Sequence, residues 1–213
     1  MHAEYDTISG PVDTELEISR SRFLTRLERI GDEAQARSTI ARVRAEHPRA
    51  RHHCSAFVIG EGQRLRRSND DGEPGGTAGA PMLEALVAAG LSDVVAVVTR
   101  YFGGVLLGAG GLTRAYRAAV AEAVSLATRV HRARRIPASV TASYALAPVI
   151  EAEARRRGYV VADARYGSEV DVRLLLSADQ CPSATALVQE LSAGSATLGF
   201  AEAIRLLVEN LEK

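Results

Sequence analysis

Residues 94–101, Val-Val-Ala-Val-Val-Thr-Arg-Tyr, constrain this chain more than any other stretch. A continuous apolar run of strand length, bounded by turn formers, suits a strand covered on both faces. Such a strand needs neighbours on each side and helices above and below it. The flanking sequence supplies them. Residues 15–30 read as a strand pair interrupted at Arg20-Ser21-Arg22, and Cys54–Ile59 reads as another strand. Asp32 is a good N-cap for a helix that Pro48 stops, with Ala36, Ile40 and Val43 on one stripe. Thr77 is placed to cap a helix over 78–90, with Pro81 in its first turn. Thr113 opens a long Ala-rich helix to about Thr128, with Leu112, Tyr116, Ala119 and Ala123 as its buried stripe. Residues 65–76 read as irregular and polar.

A second unit follows. Residues 138–144 alternate like a strand, 148–158 form a helix, and 159–166 and 169–177 are strands around the turn Gly167-Ser168. A helix over 179–192 and a strand near 203–208 complete the order βαββαβ, that of a ferredoxin-like domain. The predicted domains are 1–132 and 133–213, divided within the charged stretch His131–Pro137.

The chain of 213 residues is 46% hydrophobic, enough for a full core. No segment approaches the roughly 20 apolar residues that cross a bilayer. The first residues carry acids and no apolar core of a secretory signal. With only Cys54 and Cys181, no disulfide framework is legible, and the cytosol is the expected location. The 26 Lys and Arg balance the 26 Asp and Glu, which excludes a generally basic surface. Nucleic acid, if bound, requires a local patch.

Two segments stand apart. One is Ser68-Asn69-Asp70-Asp71-Gly72-Glu73-Pro74-Gly75-Gly76-Thr77-Ala78-Gly79, and the other runs from Thr99-Arg100-Tyr101-Phe102-Gly103-Gly104 through Gly108-Ala109-Gly110-Gly111-Leu112 to Tyr116. With Ser21-Arg22-Phe23 and His53-Cys54 upstream, they resemble the signature of the IMPACT family in its bacterial YigZ-like branch. The resemblance implies an α+β protein with an N-terminal domain like the second domain of ribosomal protein S5, followed by the ferredoxin-like domain. It also implies a tie to translation, since eukaryotic relatives act in its control through an amino-acid-starvation kinase pathway.

Each motif has a structural and a functional reading. Asp70, Asp71 and Glu73 lie among turn formers, so they suit Arg pairing within the fold, a partner contact, or a hard cation. The ordered ligand spacing of a calcium loop is absent. Between Val94 and Ala121 there is no acid, while Arg100, Arg114 and Arg117 are present, and the last two lie three apart on one helix face. These three form the candidate patch, with Arg22, His53 and Thr77 beside it, or else a solvated helix face with one Arg paired to the 70–71 loop. Tyr101-Phe102 either stacks a base or, more commonly, anchors the strand end in the core. His53 and Cys54 are adjacent in a strand and point to opposite faces, which argues against zinc. No metal or cofactor is expected. No nucleophile, base and orienting group occur in a catalytic motif, so the reading leans away from an enzyme. The expected function is a translation-associated regulatory module contacting RNA or the ribosome through the Arg patch. A protein-interaction module competing for a translational regulator is the first alternative, and an enzyme using the Asp70–Glu73 loop the second.

Overall fold

The computed structural model describes residues 4–202 and 204–208, the last stretch by its backbone alone. Ala203 and residues 209–213, within the expected last strand and domain end, lie outside the described residues. The described residues form two compact units, 4–132 and 133–207, both mixed α+β with antiparallel sheets.

In the first unit, β2 (Val12–Ile18), β3 (Ser21–Arg29), β4 (His52–Ile59), β5 (Leu65–Asn69) and β6 (Val94–Tyr101) form one sheet in the order β2-β3-β6-β4-β5. The apolar run 94–101 is therefore central, and it is buried from Val94 through Arg100. One face, carrying Phe23, Leu27, Cys54, Ala96 and Val98, packs under α2 (Gly79–Ala88) and α3 (Gly108–Leu126). Ala115, Ala119 and Ala123 bring α3 close to that face. The opposite face, with Phe57, Val95 and Val97, is covered by Ala36 and Val43 of α1 (Glu33–Glu46). Asp32 caps α1 as expected, its Oδ1 accepting the Gln35 N–H at 2.8 Å.

Two expectations are corrected. Residues 65–69, read as irregular, are the edge strand β5, paired with β4 from Ser55↔Asn69 to Ile59↔Leu65. Its run Arg66-Arg67-Ser68 has no apolar alternation because the strand is exposed, and edge charges discourage pairing with other chains. The second unit's first strand, expected over 138–144, begins earlier: β7 runs Arg129–Ala142 through the charged stretch 131–137, within which the two units divide. Its start pairs with β1 (Tyr5–Ile8) and its end with β9 (Val170–Leu176). Backbone pairing, to which charge is indifferent, decides strand continuity here.

The second unit runs β7, α4 (Ala147–Arg156), β8 (Val160–Tyr166), β9, α5 (Gln180–Leu191) and β11 (Ile204–Val208), with the two-residue β10 (Gly199–Phe200) also on β7. The pairing order β11-β7-β9-β8 and the βαββαβ succession are those of the expected ferredoxin-like arrangement. Its core joins Val140, Val172 and Leu174 of the sheet to Ile150 of α4 and Leu187 of α5.

Candidate functional site

The carboxylates of the 70–73 loop point inward. Asp70 Oδ1 accepts the N–H groups of Ala78 at 3.0 Å and Gly79 at 2.7 Å, and its Oδ2 accepts that of Gly76 at 2.8 Å. Burial alone would raise its pKa, but these three N–H groups outweigh that effect and hold the carboxyl below the usual range. Asp70 thus does the work expected of Thr77, whose hydroxyl instead donates to the Pro74 carbonyl at 2.7 Å. Thr77 is buried. Gly79 is required there, because a Cβ would stand 2.8 Å from the Asn69 nitrogen.

Asp71 accepts the His53 backbone N–H at 2.7 Å and an ion pair from Arg44 at 2.6 Å. His53 is itself buried, with Nδ1 3.1 Å from the Thr99 hydroxyl. Burial and then nearby Arg44 push its pKa down. Glu73, buried, accepts from Arg100 and from the Tyr116 hydroxyl, both at 2.8 Å on Oε1. Cys54 beneath the loop donates its thiol to the Asp70 carbonyl at 3.0 Å, and burial pushes its pKa up to about 12. Burial likewise drives the Tyr116 pKa up. Among the described residues, no three or more His, Cys, Asp or Glu side chains gather in a way that could hold a metal ion. The loop is a clamp between the sheet and α2.

The guanidinium groups do not assemble as the sequence suggests. Arg100 is 7% exposed, because strand alternation puts it on the same face as Ala96 and Val98, opposite Phe23. Arg22 makes a two-point pair with Glu15, at 2.5 and 3.0 Å. Arg117 pairs with Glu84 of α2. Only Arg114 of the four is exposed without an ion pair to a described residue.

A different cationic surface lies where β4 begins and β6 ends. A groove of about 610 Å³ is lined by Arg49, Arg51, His52, Tyr101, Phe102 and Leu106, with Ala50 and the edge of Arg100. No carboxylate lines it. Arg49 and Arg51 are exposed and make no ion pair with a described residue. His52 Nδ1 donates to the Asp71 carbonyl at 2.9 Å, and the Tyr101 hydroxyl pairs with His47 Nδ1 at 3.1 Å, so these two lining side chains are tied to the scaffold. Phe102 is 55% exposed and Leu106 88%. Sequence reading missed Arg49 and Arg51. The available signal was the run from His47 to Gly60, which holds two arginines and no acid just after a helix stop.

These features define a two-unit α+β protein whose first unit carries a basic, aromatic-lined groove. The Impact N-terminal domain matches residues 19–124, and a domain of unknown function, DUF1949, matches residues 140–195. The chain is 37% identical over 194 residues to the IMPACT family member YvyE of Bacillus subtilis (strain 168), covering 91% of this chain and 89% of that one. It is 38% identical over 193 residues to the IMPACT family member YigZ of Escherichia coli (strain K12), covering 89% and 94%. A crystal structure of a hypothetical protein superposes with a TM-score of 0.63 at 35% identity, over 95% of this chain and 99% of that one. The two-domain translational regulator Yih1 overlaps 55% of this chain and 46% of its own at 25% identity and a TM-score of 0.33, too slight to carry an argument. The chain belongs to the IMPACT family.

Proposed function

We propose that this chain is a translation-associated regulatory protein that contacts RNA through the groove between residues 49–52 and 101–106. The observation that carries this reading is that two arginines without an ion pair to any described residue sit beside exposed aromatic surface in a groove free of carboxylates. Arginines supply phosphate contacts, and the aromatic and apolar wall supplies contact with bases. The family resemblance supplies the link to translation. The Arg100, Arg114 and Arg117 set, paired internally except for Arg114, is replaced in this reading by Arg49 and Arg51.

The test is binding of a labelled ribosomal RNA fragment across a salt series. Affinity falls with salt, and the double variant Arg49→Ala/Arg51→Ala lowers the slope by about 1.4, or about 0.7 for each phosphate no longer neutralised on a single strand. No binding at low salt refutes the reading.

A second reading, a protein-interaction surface, draws on Phe102, Val105 and Leu106, three exposed large apolar residues close together in sequence. Co-sedimentation with ribosomes before and after RNase separates the two: association through RNA disappears on digestion, whereas association through protein persists.

A further inference from the structure

We infer that the groove accepts an unpaired nucleotide, its base stacked on Phe102 and its phosphate on Arg49 and Arg51, with Arg100 as the positioning residue behind the Phe102 ring. This rests on the RNA-contact reading and narrows it to single-stranded segments.

Phe102 is more than half exposed, yet it is held in place. The Arg100 guanidinium carbon lies 5.6 Å from the Phe102 ring centroid and also 5.6 Å from that of buried Phe23. Arg100 therefore bridges a core ring and a surface ring. It is tied by its 2.8 Å bond to Glu73, which Tyr116 also holds. The backbone just after Phe102 is fixed as well. Gly103 lies so close to the β2–β3 turn that a Cβ would stand 2.0 Å from the Arg20 carbonyl carbon, and its N–H donates to Ser21 Oγ at 3.2 Å.

One side of the Phe102 ring thus meets a fixed cation, and no other described aromatic ring pairs with it. A pre-positioned aromatic face costs little ordering on binding. Its chemistry suits a planar, π-faced group. The groove volume of about 610 Å³ lies in the range of small-ligand sites, and its free charges are cationic. A nucleotide meets both requirements, with a planar base and an anionic phosphate. In a duplex each base face is already stacked, so only phosphates would reach the arginines. An unpaired base reaches the ring as well.

The test compares a twelve-nucleotide single strand of adenine RNA, the same strand with abasic sites at every position, and its duplex with uridine RNA. Wild-type protein is expected to bind the adenine strand at least fivefold more tightly than the abasic strand or the duplex. Phe102→Ala and Phe102→Leu abolish that preference while the salt slope stays unchanged. Arg100→Lys, which keeps the charge but not the planar group, weakens the preference with the slope again intact. A merely structural role for Arg100 would move all three affinities together, and that result overturns the positioning role. Equal affinity for the three RNAs, or an unchanged preference in both Phe102 variants, overturns the inference while leaving RNA contact standing. Failure of all three RNAs to bind at low salt overturns the contact reading itself.

Discussion

The loops at 69–79 and 102–107 are both glycine-bearing and both adjoin a helix start, but they are built inside out relative to each other. The first is rich in acids, and its carboxylates turn inward to backbone N–H groups, Arg44 and Arg100. The second is rich in apolar residues, and Phe102, Val105 and Leu106 turn outward. Polarity along the chain therefore does not tell which loop is scaffold and which is surface. The partner of each side chain does. A buried carboxylate with satisfied oxygens holds the fold together, whereas a run of apolar side chains left in water is surface open to a partner.

If this contrast is right, substitutions in the first loop act on stability and those in the second on binding. The largest effect is expected for Glu73→Ala, which leaves Arg100 buried beside two aromatic rings without its counter-charge. Removing one partner of a buried pair costs about 3–5 kcal/mol, to be read from denaturant unfolding. Gly103→Ala should follow at about 3 kcal/mol, since the added Cβ collides with backbone rather than with a movable side chain.

Asp70→Asn should cost about 2 kcal/mol at neutral pH through weakened bonds to three N–H groups. It should also change the acid limb. The Asp70 pKa is lowered in the fold, so its contribution is fully present above the unfolded value of about 3.9 and is lost as pH falls through the folded value. Asp70→Asn should therefore show a flatter loss of stability below about pH 4 than the wild type. The smallest stability change, within about 0.5 kcal/mol, is expected for Leu106→Ser, while its RNA affinity or partner capture falls. A large loss of stability in that variant would break the contrast between the loops.

Much of the fold was legible because local signals and burial agree. The run 94–101 is covered on both faces, and the α3 stripe of Leu112, Tyr116, Ala119 and Ala123 lies in the core. What escaped depends on pairing between distant residues. Arg66 and Arg67 carry no strand signal of their own and are strand only because β4 lies beside them. The site was less legible for the same reason. Arg100, Arg114 and Arg117 share an acid-free segment, but the acids that neutralise Arg100 and Arg117 sit 27 and 33 residues away. Arg49 and Arg51 lack such partners among the described residues, and no counting along the chain reveals which cations find a mate.

The thiol of Cys54, covered by the Asp70 carbonyl and inaccessible to solvent, gives this protein a built-in gauge of its own breathing. An alkylating reagent can reach it only when the chain above lifts away, so the labelling rate measures the free energy of that local opening. Cys181, partly accessible in the other unit, serves as the internal clock for reagent strength. Slower modification of Cys54 with ligand present would report that occupancy of the neighbouring groove quiets the scaffold beneath it.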